Sequence, residues 1–501
     1  MEKTVPELIA AISPSDWALV PQSILELIYE LVRRTDKLEE EMAQLRTENE
    51  LLKEQVARTS TNSSQPPSKN PQGFKPNRKE STGKKQGGQL GHIGAQRKLY
   101  PEEMCQEVIH HYPQQCSGCG AKIDQVGNQP ADYRHQIVEV PPVQPIITEH
   151  QFHPVTCNCC GKKNHAASMP EIIRGGGYGA RVTAYVGLLS SQYRQSYRQI
   201  QQLIQAVFGI EMSIGTINRL RIEVSEAVSD AVTEAQSYIQ HSPTVGVDET
   251  GFKQRNGDGQ NAAKTSGWLW VAVTPLISCF QVILSRASTA AQTVLGEAFA
   301  GFITSDRCPA YNWVDINRRQ ICWAHLKRDF IQISERIGAS AEIGKLLLEQ
   351  EQELFNLWYQ YRNDQLTRSE LEQVVEPIQT KILSQLREAA QLNIGENEKT
   401  PLAKTVRTCR NLLKHEPALW LFITENGVES TNNAAERAVP PAVIWRRTSF
   451  GSDSVAGSFF VSRLLTVVSS LKLQERNIFD FLVESVVATR SGDVPPSLLP
   501  R

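Results

Sequence analysis

Thr244-Val-Gly-Val-Asp248 is a short apolar run that closes on a carboxylate. Downstream, Gly267-Trp-Leu-Trp-Val-Ala-Val273 and Phe280-Gln-Val-Ile-Leu284 read as two further buried strands, rich in β-branched and aromatic residues and separated by Pro275. A helical segment from Ala287 to Phe299 leads into Gly301-Phe-Ile-Thr-Ser-Asp306, a fourth strand that again ends in aspartate, and Gln320-Ile-Cys-Trp-Ala-His325 is short and partly apolar. Carboxylates are the hard oxygen donors that magnesium prefers. A pair of such ions, about 3.5–4 Å apart, suits phosphodiester displacement. Two aspartates do not fill such a site. Ser430-Thr-Asn-Asn-Ala-Ala-Glu436-Arg437 offers a third carboxylate on a short helix that Pro440-Pro441 should end, with Asn432 or Asn433 one turn from Glu436 on the same face.

Three strands, a helix and a fourth strand, with aspartates closing the first and fourth, is the plan of a ribonuclease H-like mixed sheet. In that plan the two strand ends are neighbours, so Asp248 and Asp306 would share one divalent-metal cluster. Residues 332–425, with Leu346-Leu-Leu, Leu354, Leu371 and Leu383 in a Glu/Gln-rich background, read as a helical insertion. The core is thus expected in two parts, 241–331 and 426–501.

Upstream, residues 171–240 read as helical. Tyr197 to Phe208 is followed by Gly209, and Ser213 can cap a second helix from Ile214 to Val224, a spacing compatible with a helix-turn-helix DNA reader. Residues 101–170 carry Cys116-Ser-Gly-Cys119 and Cys157-Asn-Cys159-Cys160. Two such pairs can converge tetrahedrally on one structural zinc. Cys160 completes the C-x-x-C spacing and precedes Gly161, while Cys159 is the alternative fourth ligand. The interval between the pairs contains a strand-like run, Gln136-Ile-Val-Glu-Val140, which predicts knuckles on a hairpin stem.

Residues 1–57 end in a heptad pattern. Ile28, Thr35, Met42, Asn49 and Val56 occupy one position, and Leu31, Leu38, Leu45 and Leu52 the other. That is the a/d seam of a coiled coil, with Asn49 as the polar insert that fixes register, and it predicts a homodimer or larger assembly. Residues 58–100 are a polar, glycine-interrupted linker. Between 58 and 98 it holds nine basic residues, among them Lys69, Lys84, Lys85, Arg97 and Lys98, against one acidic residue, Glu80. Such an arm gains affinity for DNA phosphates by counterion release.

The whole chain of 501 residues has 53 basic and 54 acidic residues, a net charge of −1. Neutrality would speak against a polyanionic partner, but it is an average. Outside 58–98 the chain carries −9, and residues 340–400 hold 11 acidic against 6 basic residues. A basic arm is joined to an acidic body. No stretch approaches about 18 apolar residues, and Glu2 and Lys3 precede no apolar signal segment, so no membrane partner and a cytoplasmic, nucleoid-associated location are expected.

Asn62-Ser-Ser-Gln-Pro-Pro67, Gly87-Gly-Gln-Leu-Gly-His-Ile-Gly94, the paired cysteine knuckles, Val247-Asp-Glu-Thr-Gly251, Cys322-Trp-Ala-His-Leu-Lys-Arg328 and Asn432-Asn-Ala-Ala-Glu-Arg437 occur in this order. In these motifs the chain resembles the large transposase of the insertion sequence 66 family over nearly its whole length. The resemblance implies a leucine-zipper and DNA-binding region, a zinc domain and a DDE catalytic domain. Asp248, Asp306 and Glu436 would be the catalytic, metal-binding triad for two Mg²⁺ ions (or Mn²⁺), cutting element ends and joining a 3′-hydroxyl to target DNA. His325, Lys327, Arg328, Arg437, Arg446 and Arg447 would contact phosphates, and small proteins of the same element would be accessory partners. This chain departs from the family at Val439-Pro440-Pro441, where Arg-Pro is usual, and at Arg446-Arg447, where Arg-Lys is usual. A reading of a different class is a catalytically silent or domesticated regulator that keeps only the DNA-binding parts.

Overall fold

The computed structural model describes residues 19–63, 70, 97–124, 130–166 and 176–500. Lys69, Lys84 and Lys85 lie outside the described residues. The chain forms two compact units: Met1–Phe74 with His150–Leu203 and Glu211–Arg501, and Lys75–Glu149 with Ile204–Ile210.

The first helix among the described residues of the first unit is α1 (Gln22–Val56), which buries none of its residues. Leu31, Leu38, Leu45 and Leu52, the expected d positions, are all more than half exposed. Its C-terminal end is anchored. Glu54 accepts hydrogen bonds from Arg336 (3.0 Å) and Lys404 (2.7 Å). Burial raises the Glu54 pKa, but these two cations overcome it and hold the carboxyl below its ordinary value. Beyond the helix, the buried Asn62 donates to Ala57 O and to Glu335 Oε2, so this residue of the Asn-Ser-Ser motif closes the helix end onto the body.

A two-stranded antiparallel ladder follows, β1 (Pro154–Thr156) and β2 (Lys163–His165). The run 136–140 in the second unit is not a strand. Among the described residues no strand pairs with it, and Ile137 and Val140 are exposed. Helices α2 (Ala180–Ser191), α3 (Tyr197–Phe208), α4 (Ile214–Ala227) and α5 (Ser229–Gln240) come next. Gly209 adopts φ +65°, which stops α3, and Ser213 caps α4 by accepting from Thr216 N.

The core is a five-stranded mixed sheet of β3 (Thr244–Gly251), β4 (Trp268–Val273), β5 (Ser278–Ile283), β6 (Phe302–Ser305) and β7 (Arg319–Ile321), in the order β5-β4-β3-β6-β7. β3, β4 and β5 are antiparallel neighbours, whereas β6 and β7 run parallel to β3. Helix α6 (Ser288–Leu295) supplies the crossover between β5 and β6. After β7, α7 (Trp323–Ser334), α8 (Ala339–Arg362), α9 (Arg368–Gln391), α10 (Pro401–Lys414) and α11 (Leu421–Thr424) build a second apolar cluster around Trp323, Phe330, Leu354, Trp358 and Phe422. The insertion thus has its own core, docked on β7 through Gln320, which accepts from Phe422 N and donates to Leu419 O. The chain returns to the sheet with α12 (Asn433–Ser449), α13 (Val455–Leu473) and α14 (Ile478–Ser491).

Helix α13 corrects one expectation. Its 19 residues are long and apolar enough to cross a membrane, yet most are buried against the protein. It seals the outer edge of β5. Ser462, Thr466 and Ser470, one turn apart, accept hydrogen bonds from the edge N–H groups of Val282 (3.0 Å), Phe280 (2.9 Å) and Ser278 (3.0 Å). Three donors that a bare edge would leave to solvent or to another strand are satisfied by a hydroxyl comb.

The comb makes a stability prediction. Thr466→Val keeps the shape but strands the buried Phe280 N–H, and should lower unfolding free energy by about 1–3 kcal/mol. Thr466→Ser, which keeps the acceptor, should lose clearly less in the same urea titration.

Candidate active site

The register of the sheet sets the site. The parallel β3–β6 ladder ends at the pair Gly246–Thr304. Asp248 and Asp306 each lie two residues beyond that pair, so their backbones stand abreast where β6 stops, in strands about 4.8 Å apart. Asp248 is not the last residue of its strand: it pairs with Val271 while β3 continues against β4 to Gly251. One partner strand ends and the other continues, which opens a notch at Asp248.

Asp306 is held by its own turn and by one buried cation. Its Oδ1 accepts from Cys308 N at 2.8 Å. Arg319, 2% exposed, donates to Ser305 Oγ (3.0 Å), Asp306 O (2.8 Å), Cys308 O (3.0 Å) and Asn312 Oδ1 (2.7 Å). A planar five-donor guanidinium can tie four acceptors of one loop together, which an ammonium cannot.

Glu436 sits in the first turn of α12, and this helix is longer than the prolines predict. It runs through Pro440 and Pro441 to Ser449. Each proline lacks the N–H that would reach back to the carbonyls of Glu436 and Arg437. Burial of Ala435, Ala442 and Trp445 in the core of the sheet keeps the helix together nonetheless. Its start is pinned by the buried Asn432, whose Nδ2 donates to Val247 O at 2.5 Å and whose backbone N donates to Cys322 Sγ. Gly246 makes this approach possible, since a Cβ there would stand 3.1 Å from Asn432 Oδ1.

The electrostatics are unbalanced. Burial, then the charges of Glu249 and Asp306 and, more weakly, Glu436, push the Asp248 carboxyl up to about 8, against a single backbone hydrogen bond from Glu249 N. Glu436 faces His325 Nδ1 and Arg328 Nη2, each at 3.5 Å. These contacts are too long for hydrogen bonds, and both His325 Nδ1 and Glu436 Oε1 are buried without a partner among the described residues. His325 and Arg328 are three residues apart on α7 and share a face; Lys327 lies on another and pairs with Glu351 of the insertion at 2.6 Å. Arg446 is engaged by the end of β3, donating to Thr250 Oγ1 and Gly251 O. Arg437, Arg447, Arg97 and Lys98 are exposed, and Arg97 donates to Gln136 O.

Sequence reasoning missed Glu249. Its carboxylate, 2% exposed, accepts from Arg286 (2.7 and 3.0 Å) and from Tyr311 Oη (2.7 Å). Ligand-type atoms of Glu249, Asp306 and Cys308 lie within 4.8 Å of one another, so Asp306 has two acidic neighbours. The Asp-Glu pair in Val247-Asp-Glu-Thr was visible, but its partners Arg286 and Tyr311 carried no signal in the sequence.

The two cysteine knuckles repeat one another. In the first, Gly120 N donates to Cys116 O and Cys116 N to Ala121 O, with Gly120 at φ +72°. In the second, Gly161 N donates to Cys157 O and Cys157 N to Lys162 O, with Gly161 at φ +71°. Backbone N–H groups of Cys119 and Gly118 hold the Cys116 thiol below its ordinary pKa, and those of Cys160 and Cys159 do the same for Cys157. Cys160 therefore corresponds to Cys119, and Cys159 to Gly118.

A transposase is the class of protein that two family profiles assign to this chain. The profile of the Transposase IS66 family matches residues 175–458, more than half of the chain, and that of the zinc-finger binding domain of transposase IS66 matches residues 113–161. The chain belongs to the IS66 transposase family. Among its relatives in Sinorhizobium fredii (strain NBRC 101917 / NGR234), Uncharacterized protein y4qI is 26% identical over 172 residues, which span 34% of this chain and 31% of that protein. Uncharacterized protein y4jD of the same strain is 20% identical over 405 residues, 77% of this chain and 76% of its own length.

Asp248 makes stability depend on pH when no divalent cation is present. The unfolded chain releases this proton near pH 3.9 and the folded chain near pH 8, so between these values the unfolded state binds fewer protons and stability falls as pH rises. Asp248→Asn cannot ionise. Thermal unfolding in EDTA should give the variant the higher Tm at pH 8, and the two proteins should converge at pH 4. A variant less stable at pH 8 would refute the crowding.

Proposed function

We propose that the chain cuts DNA at the ends of its element and joins the freed 3′-hydroxyl to target DNA, on a ribonuclease H-like core with Asp248, Asp306 and Glu436 as the metal-binding triad. The strand order and the mixed pairing, with a helical insertion between the second and third carboxylates, support this reading of the core. The observation that carries it is the buried Asp248, whose carboxyl is pushed to about 8 by acidic neighbours and which, among the described residues, pairs with no basic side chain. Such a group wants a cation.

The donor set fits magnesium: hard carboxylate oxygens, with Glu436 Oε1 buried and without a hydrogen bond among the described residues. Glu249 is a weaker candidate ligand because Arg286 and Tyr311 already take up its charge. When bound, two such ions activate the attacking oxygen and stabilise the leaving one. The chain's own work is to hold the ligands. Arg319 fixes the turn of Asp306, Asn432 fixes the start of the Glu436 helix against β3, and His325 and Arg328 stand beside Glu436 at 3.5 Å. Exposed Arg437 and Arg447 and the 58–98 arm are the proposed phosphate contacts. The exposed leucines of α1 are proposed to pair with a second copy as a coiled coil.

Zinc belongs to the knuckles by family, and Cys116, Cys119, Cys157 and Cys160 are the proposed ligands. All four places are then protein thiolates, the pattern of a structural site.

The test uses DNA carrying the inverted repeats that flank the gene. Asp248→Asn, Asp306→Asn and Glu436→Gln should each slow Mg²⁺-dependent cleavage by at least about a thousandfold, some 4 kcal/mol, with affinity for that DNA retained. Wild-type cleavage by Asp248→Asn would overturn the triad. Binding without cleavage by the parent chain would favour the regulator. For zinc, Cys160→Ser should lower the metal content of purified protein and Cys159→Ser should leave it at the parent value.

A further inference from the structure

Three residues beyond Asp248 on β3 lies a cavity of about 590 Å³ at Gly251, between the β3–β4 connection and the end of α12. Its walls carry Lys253, Arg255, Arg446 and Arg447, together with Trp268 and Phe450, and none of its lining residues is acidic. Arg446 is partly spent on Thr250 and Gly251, but Lys253, Arg255 and Arg447 form no ion pair among the described residues. Four cations and two aromatic rings thus line one open cleft of ligand size, and Lys253, Arg255 and Arg447 are exposed beside it.

Phe450 is the telling residue. It caps α12 with φ +58°, a left-handed backbone that bulky side chains avoid, and its ring is 71% exposed. An exposed aromatic side chain returns no packing for that strain. The cleft is also built rather than loose. Ser452 N donates to Lys253 O and Arg255 N to Ser452 O, both at 2.9 Å, tying the two walls together. Gly451, at φ +98°, permits this, because a Cβ there would stand 2.1 Å from Lys253 O. Trp268 is fixed from the catalytic strand: Arg286, held by Glu249, stacks on its ring at 4.5 Å.

We infer that this cleft receives one unstacked nucleotide of the DNA being processed, its base against Phe450 and Trp268 and its phosphate among Lys253, Arg255 and Arg447. Aromatic faces accept any base, and the cations track the backbone. From Asp248 to Gly251 is about 10 Å along the strand, which is about three base steps in a DNA strand. The nucleotide therefore lies within a few positions of the bond to be cut. The inference rests on the proposed function only in taking DNA as the ligand.

The test uses full-length Asp248→Asn protein, which holds DNA without cutting it, and duplexes of the element end with 2-aminopurine at each of the last six positions in turn. One position should brighten severalfold on binding. Phe450→Ala should abolish that signal and weaken binding about five- to a hundredfold, and Phe450→Trp should restore it. Phe450→Gly should lose the signal while raising the Tm, since glycine relieves the left-handed backbone, which separates a ligand role from a structural one. The absence of a bright position, a signal that survives Phe450→Ala, or a lower Tm for Phe450→Gly would each overturn the inference. An equal loss of affinity at all positions, moved by salt alone, would also overturn it and leave a phosphate contact. Cleavage assays on the parent protein with Asp248 intact judge the catalytic reading separately: a protein that cuts but never brightens 2-aminopurine refutes only the cleft.

Discussion

Like charges held together in a buried notch are the constraint on which this structure is organised. Glu249, Asp306 and Glu436 all act on Asp248 at the end of a short parallel ladder, and Glu249 also lies close to Asp306. Left alone, such a cluster would spread apart or take up protons. The chain meets the problem unequally. Glu249 is given Arg286 and Tyr311, and the backbone of the Asp306 turn is given Arg319, whereas among the described residues Asp248 has no cation paired with it. Every polar clamp around the notch, from Asn432 on Val247 to the turn at Cys308, serves to hold carboxylates where their repulsion would not leave them.

That arrangement explains why so much structure stands between the carboxylates in sequence. Two come from neighbouring strands, so a single register decides their spacing. The third stands on α12, beyond an insertion that packs around its own apolar cluster and docks on β7. The insertion also supplies Glu351, which draws Lys327 away from the site and leaves His325 and Arg328 alone with Glu436.

The sheet was legible in the sequence because its signals are local: apolar runs of strand length, with turn residues between them. The α3–Gly209–α4 break and the two knuckles were legible for the same reason, since glycine and cysteine spacings are short-range chemistry. Failures came where long-range packing decides. Pro440-Pro441 reads as a helix stop, yet burial of Ala442 and Trp445 carries α12 past it. Gln136–Val140 reads as a strand, yet a strand needs a partner and none pairs with it among the described residues. The roles of Arg319, Arg286 and Asn432 could not be read from spacing, because each acts on a residue far away in the chain.

The hydroxyl comb on β5 has a further consequence. A sheet grows by offering unpaired N–H groups to an incoming strand, and on this edge those of Ser278, Phe280 and Val282 are already taken by a helix. The opposite edge, β7, lies under the insertion. Among the described residues, the N–H groups of the β5 edge are thus closed to a stray strand, whether from another molecule or from a half-folded copy of the chain, and β7 is covered by the insertion.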